Sequence, residues 1–306
     1  MTDPPRNLAQ SITPFDAEGG IDEALLRAHL RRMAAAGMGV YLGSPGGGEG
    51  HSLTNADYET LYGVGVDEVG GKVAVWATGF EPRTASKFIE VARIAEAAGV
   101  GAIGVYPVDA GHLMRPTPRE QECYYREILD QMRLPVVMLT MEDTVGYKLP
   151  LPLLERLVAA YDNIFAVLMY DSVYLTEAHR TFGTRLKIYA GGANVLNNLA
   201  FGGHGFSGSE ANIVPRLCRS IVDLWLRGEH GRSAAAYVKL MGLSAALAPL
   251  APSIARPVKT ALSILGLPAG HLRRPYLAAE PELEERLAAR LRELDLLELE
   301  ESAGLD

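Results

Sequence analysis

Up to about Asp223 the chain alternates short apolar runs with longer stretches of helical periodicity, which confines it to repeated strand–helix units around a parallel sheet. Candidate strands fall at Leu8–Ile12, Gly39–Gly43, Val73–Thr78, Ala102–Tyr106, Val136–Thr140, Ile164–Met169, Leu186–Ala190 and Gly205–Ser209. Eight such units are the number that closes a TIM-type (β/α)8 barrel. Beyond the eighth unit only helical patterns remain, at Ser233–Leu250, Pro257–Leu265 and Glu282–Leu297. The expected architecture is a barrel over residues 1–228 and a C-terminal helical region over 229–306 packed on it, with Ser302–Asp306 frayed.

Several helix starts are legible. Thr117-Pro118-Arg119-Glu120 offers a cap, a proline at the first helical position and a glutamate placed to bond back, so a helix is expected to about Met132. Thr54-Asn55-Ala56-Asp57 is a weaker version, and Pro82 is expected to open a helix that buries Phe88, Ile89, Ala92, Ile94 and Ala95 before ending at Gly99.

Charge narrows the partners. A net charge of -8, with basic residues scattered rather than clustered, argues against nucleic acid or an anionic membrane surface. Residues 1–6 lack the apolar run of a signal peptide, and no uninterrupted apolar stretch reaches the roughly 20 residues that span a bilayer, so a cytoplasmic setting is expected. Two cysteines, Cys123 and Cys218, make neither a disulfide framework nor a thiolate metal site and are expected to be buried thiols.

Five segments, read in order, resemble one family. Thr13-Pro14-Phe15 with Gly20-Ile21-Asp22 opens the series, followed by Leu134-Pro135-Val136-Val137 and Tyr189-Ala190-Gly191. Gly203 through Asn212 with Pro215 gives a glycine-rich eighth strand and an Ala-Asn-x-x-Pro helix start, and Pro257 through Leu262 with Leu265-Gly266-Leu267 closes it. In this order they are similar to the dihydrodipicolinate synthase / N-acetylneuraminate lyase family of class I aldolase-like barrels. The resemblance implies a homodimer or homotetramer, no cofactor, and a keto-acid substrate held as an imine on a lysine in the sixth strand.

At the positions that carry this chemistry the chain departs from the family. The lysine position is Leu168, the proton-relaying tyrosine at the end of strand five is Leu139, and the carboxylate-binding arginine is Thr144. The loop after strand two reads Gly43-Ser44-Pro45-Gly46-Gly47-Gly48-Glu49, and Val108-Asp109 replaces a tyrosine pair after strand four. Of the six lysines, only Lys148 belongs to the upper rim; Lys72 and Lys187 face the barrel bottom, and Lys87, Lys239 and Lys259 fall on helices.

Ligands of such barrels bind at the C-terminal strand ends, which makes residues just after each strand the candidates. Glu49 and His51 are spaced as a general acid/base pair, and Tyr170-Asp171 could donate or shuttle a proton unless Asp171 caps the next helix. Gly46, Gly47 and Gly48, beside Ser44, offer backbone N–H groups to an anion or simply permit a tight turn. Asp109, His112, Asn194, Ser209, Glu210 and Asn212 complete the rim. Glu49, His51, His112, Glu142 and Asp143 are suitable metal ligands by type, but no ligand spacing supports a site and no metal is expected. The leading reading is a lyase, hydratase or isomerase of a small anionic metabolite that works by acid/base chemistry without an imine. The rivals are a silent metabolite-binding or scaffold homologue and a pyruvate-dependent lyase with a relocated lysine.

Overall fold

The computed structural model describes residues 4–295 except 110, 112, 113 and 252, and the side chain of residue 143. Eight parallel strands close into a barrel in sequence order: β1 (Asn7–Gln10), β2 (Gly39–Leu42), β3 (Val75–Thr78), β4 (Ala102–Val105), β5 (Val136–Leu139), β6 (Ile164–Met169), β7 (Lys187–Ala190) and β8 (Gly205–Gly208). β8 pairs with β1 to complete the ring, and Leu139 of β5 stands in register with Leu168 of β6. The barrel is wrapped by α1 (Glu23–Ala35), α2 (Asn55–Val69), α3 (Ala85–Ala98), α4 (Pro118–Leu129), the one-turn α5 (Glu142–Val145), α6 (Leu151–Ala160), α7 (Ser172–Phe182), α8 (Val195–Ala200) and α9 (Pro215–Leu226). The C-terminal region adds α10 (His230–Leu247), α11 (Ala255–Ile264) and α12 (Pro281–Glu293).

The strands are short and most of their residues are buried, because one face meets the helices and the other fills the barrel. Trp76 stands edge-on to Tyr41, Phe165 and Tyr189, with ring centroids 6.1, 5.5 and 5.8 Å apart. Such pairs contribute roughly 0.5–1.5 kcal/mol each beyond their burial. Leu8, Ala102, Val137, Leu139, Ala166 and Leu168 pack into the same cluster, so the interior is a filled core rather than a pore. Gly104 belongs to this core for a steric reason: a Cβ there would lie 1.6 Å from the Tyr41 hydroxyl.

Asn212 fastens β1 to the turn after β8. Its amide nitrogen donates to Gln10 O (2.8 Å) and Ser209 O (2.7 Å), while its oxygen accepts from Ile12 N (3.0 Å) and lies 2.9 Å from His29 Nε2 on α1. Burial and the nearby Arg32 push the His29 pKa down to about 3, so the ring is neutral and its Nε2–H is the donor.

Most helix starts match expectation. Thr117 and Thr54 both form reciprocal capping boxes, with Glu120 and Asp57. The third helix differs: Thr84, not Pro82, caps it, with its hydroxyl accepting from Lys87 N, and this adds Pro82 and Arg83 to the loop above β3 that carries Glu81. Cys218 is buried, but Cys123 lies on the solvent face of α4, since the buried stripe of that helix is Gln121, Tyr124, Tyr125, Ile128 and Leu129. His230–Leu250 is long and apolar enough to cross a bilayer by length and composition, although Arg232 and Lys239 interrupt its apolar run. Its Leu240 and Leu243 are fully buried where α10 packs on α9 and α12, while Val238 on the opposite face is exposed. Residues 296–306, including the expected frayed end, lie outside the described residues.

Candidate functional site

A cavity of about 1160 Å³ opens at the C-terminal end of the barrel. One part of its lining comes from the loops that follow the strands: Ser44, Gly46, Glu81, Tyr106, Thr140, Tyr170 and Glu210 among them. The other comes from the C-terminal region, between Ser244 and Tyr276. Leu139 and Leu168, in the barrel core, are not part of the lining. They close the barrel interior without plugging its mouth.

Tyr170, at the end of β6, is held by Gln10, whose amide donates to the phenolic oxygen. Burial raises the Tyr170 pKa far above neutrality and nearby Glu210 raises it further, so the group is a phenol at neutral pH. With its oxygen already accepting from Gln10, its hydrogen is available to a ligand as a donor. Gly191 makes room for the ring, because a Cβ there would stand 2.9 Å from two ring carbons.

Two carboxyl groups in the cavity have raised pKa values. Glu81, above β3, is pushed up to about 7, chiefly by burial and then by Asp109, and its Oε1 has no hydrogen-bond partner among the described residues. Glu210, after β8, is raised by burial, with its Oε1 3.3 Å from Ser244 Oγ on α10. Lys148 is the one lysine in the lining among the described residues. It pairs with Glu142 (2.9 Å) and Asp171 (3.4 Å), and the Glu142 bond raises its pKa above the ordinary lysine value.

The residues expected to form one acid/base centre all line the cavity, but no hydrogen bond or ion pair joins any two of them. Glu49 and His51 are not a pair. Glu49 adopts a left-handed backbone with φ 53° and turns inward, where its carboxylate meets Lys259 Nζ at 2.5 Å and accepts from Arg273 N at 3.1 Å. Lys259 also donates to Thr13 O and His271 O and lies 4.6 Å from the Phe15 ring centroid, so it is a satisfied internal cation. His51 is exposed at the rim, its Nδ1 donating to Pro45 O (3.0 Å) and its ring edge-on to Tyr276. Asp171 caps α7: its carboxylate accepts from Tyr174 N at 2.6 Å, and this bond, foremost, lowers its pKa.

The expected binding residues divide in the same way. Ser44, Gly46, Thr144, Asn194 and Ser209 line the cavity. Asn194 donates to Tyr170 O and accepts from Ser172, which fixes the strand end. Gly47 and Gly48 do not form an anion nest. They are pressed against Gln10, Ser11, Ser44 and Ser209, and Gly48 N is already bonded to Ser44 Oγ. Asp109 is outside the lining, its carboxylate accepting from Gly111 N at 3.0 Å. His112 lies outside the described residues. No three His, Cys, Asp or Glu side chains among the described residues form a metal-sized cluster.

The family model for the dihydrodipicolinate synthetase family matches residues 4–294. The 4-hydroxy-tetrahydrodipicolinate synthase 1 of Streptomyces coelicolor is 30% identical over 94% of this chain and 93% of its own length. The enzyme of that name from Moorella thermoacetica is 31% identical over 95% and 99%. The chain belongs to the dihydrodipicolinate synthetase family. The fold agrees: the E. coli K12 prophage protein YagE, solved in complex with pyruvate, superposes with a TM-score of 0.88 at 20% identity, covering 95% of this chain and 99% of that one.

In this family member, sequence reasoning overlooked Glu81, Gln10 and Arg256, all part of the cavity lining, and did not single out Glu210 from the rest of the rim. Glu81 stands three residues beyond the expected end of strand three and directly before the proline expected to open the helix, so no strand-end signal marked it. Gln10 is at the end of β1, a position the catalytic-face rule could have flagged. Arg256 had no such signal, because nothing in a helix beyond the eighth unit marks it as facing the barrel mouth.

Proposed function

We propose that this member of the dihydrodipicolinate synthetase family is a lyase, hydratase or isomerase of a small anionic metabolite, acting by general acid/base chemistry without a lysine imine. The observation that carries the reading is the pairing of an apolar Leu168–Leu139 register in the barrel core with a cavity whose single described lysine is held as a cation by two carboxylates. An imine-forming lysine must shed its proton near neutral pH, and carboxylate neighbours oppose that.

Acid/base chemistry has the groups it needs. Glu81, with a pKa near 7, is suited to take a proton from carbon, and Glu210, raised by burial, to hold one for a leaving oxygen. The Tyr170 phenol donates a hydrogen bond to an oxygen on which charge develops. The wider proposal includes a cytoplasmic setting and a carboxylate ligand. The silent-binder reading draws support from Glu49 and Asp171, both engaged in structural bonds.

Pyruvate, present in the YagE structure, is the probe for an imine. Treatment with pyruvate and borohydride is expected to leave the intact mass unchanged, whereas a reduced pyruvate adduct on Lys148 or any other lysine would overturn the proposal. Turnover of any identified substrate should fall at least about 100-fold in Tyr170→Phe, the lower range for a lost acid/base contribution. An unaltered rate would remove Tyr170 from the chemistry, and binding without turnover would favour the silent rival.

A further inference from the structure

The cavity is lined by acidic groups and two described basic side chains of fixed charge, Lys148 and Arg256. Lys148 is committed to Glu142 and Asp171. Arg256, in the first turn of α11, has no carboxylate within ion-pair distance among the described residues. Its Nε donates to Leu277 O at 3.0 Å and its backbone N–H is bonded to Ser253 Oγ, which anchors the residue while the two terminal nitrogens of the guanidinium are left without a described hydrogen-bond partner. An anchored guanidinium presents a planar fork that matches a carboxylate with two parallel bonds.

The surroundings fix the rest of the ligand. Leu247, Ala248, Ala251, Ile254, Val258 and Leu272 make the adjoining wall apolar. The barrel mouth presents Tyr170, Glu81 and Glu210, which repel an anion whenever either carboxyl is ionised and offer it no cation. A small keto acid has no body to lay against that wall, and a sugar acid would strand hydroxyl groups on it.

We propose that Arg256 is the carboxylate receptor of this cavity and that its ligand is a monocarboxylate with an aryl or branched-alkyl body, whose polar reactive end reaches Tyr170. This deepens the proposed function and rests on the same site. The C-terminal region, rather than the barrel, then supplies the binding charge that Thr144 does not.

The test is calorimetric titration of the intact protein with cinnamate, cinnamamide and pyruvate, repeated on Arg256→Gln, Arg256→Lys and Tyr170→Phe. Cinnamate is expected to bind at least tenfold tighter than cinnamamide and than pyruvate, a preference that Arg256→Gln abolishes and Arg256→Lys retains in part, since tenfold is about 1.4 kcal/mol, within the reach of one hydrogen-bonded charge contact. Melting temperatures identify any variant that fails to fold, and Arg256→Lys then carries the comparison. Equal affinity for cinnamate and its amide, or pyruvate binding tighter than cinnamate, overturns the proposal. Tyr170→Phe separates the two readings: cinnamate binding that survives it leaves the Arg256 receptor standing even if turnover proves independent of Tyr170.

Discussion

Glu81 concentrates what is unusual about the site at the scale of one residue: a half-buried carboxyl, one oxygen without a partner among the described residues, pushed up to about 7. If it is the proton acceptor, kcat/KM should rise as pH passes about 7, and Glu81→Gln should remove that limb with a loss of about 100-fold or more. A limb that persists in the variant would reassign the base. The linkage runs the other way for stability: a folded pKa above the ordinary carboxylate value favours the fold below about pH 4.5, and that contribution is lost as pH rises through about 7. Denaturant midpoints of the wild type should therefore fall relative to Glu81→Gln between pH 5 and 8. Glu49 is a different case, a charge that serves structure. Lys259→Met, which strands its carboxylate, should cost roughly 3–5 kcal/mol, while Glu49→Gln with Lys259→Met should cost less, because burial penalises the unpaired charge more than the missing pair. Equal losses in urea unfolding would contradict this.

Among elements, the strands were the most legible. Short apolar runs bounded by turn residues placed all eight within two residues of their observed ends, since burial on both faces leaves little freedom in where a strand falls. The glycine-rich eighth strand and Asn212 were also readable. The loop after β3 was not, because Pro82 and Thr84 are both acceptable helix openers and only the hydroxyl bond to Lys87 N decides between them. The Glu49–Lys259 pair, 210 residues apart in sequence, is beyond any local pattern and led to Glu49 being read as a rim carboxylate. The turn after β7 offers a test at this scale. Gly191→Ala forces its methyl toward the Tyr170 ring, which costs about 1–3 kcal/mol where overpacking is not relieved. If Tyr170 works from its observed position, the variant should bind or turn over ligand as poorly as Tyr170→Phe while keeping a cooperative thermal transition. Undiminished function in a folded Gly191→Ala protein would place the working phenol elsewhere.

For the whole molecule, composition and the βα period were sufficient for a barrel with an added helical region, whereas assembly is read only from the family. Light scattering at micromolar concentration should give a dimer or tetramer, and a monomer would count against that expectation. The cavity itself is shared between two parts of the chain. Loops of the barrel carry Tyr170, Glu81 and Glu210, and the stretch from Leu247 to Leu272 carries the apolar wall and Arg256. Barrel closure depends on none of those later residues, since every strand pair in the ring lies before them. Mutation at the lining positions of that stretch can explore new shapes and charges for the cavity while the reacting groups stay where the strands hold them, subject to its buried members, among them Ala261 and Leu262 in the core and the Lys259 ammonium. A lineage built this way can change what it accepts in a few substitutions without first surviving the loss of its fold.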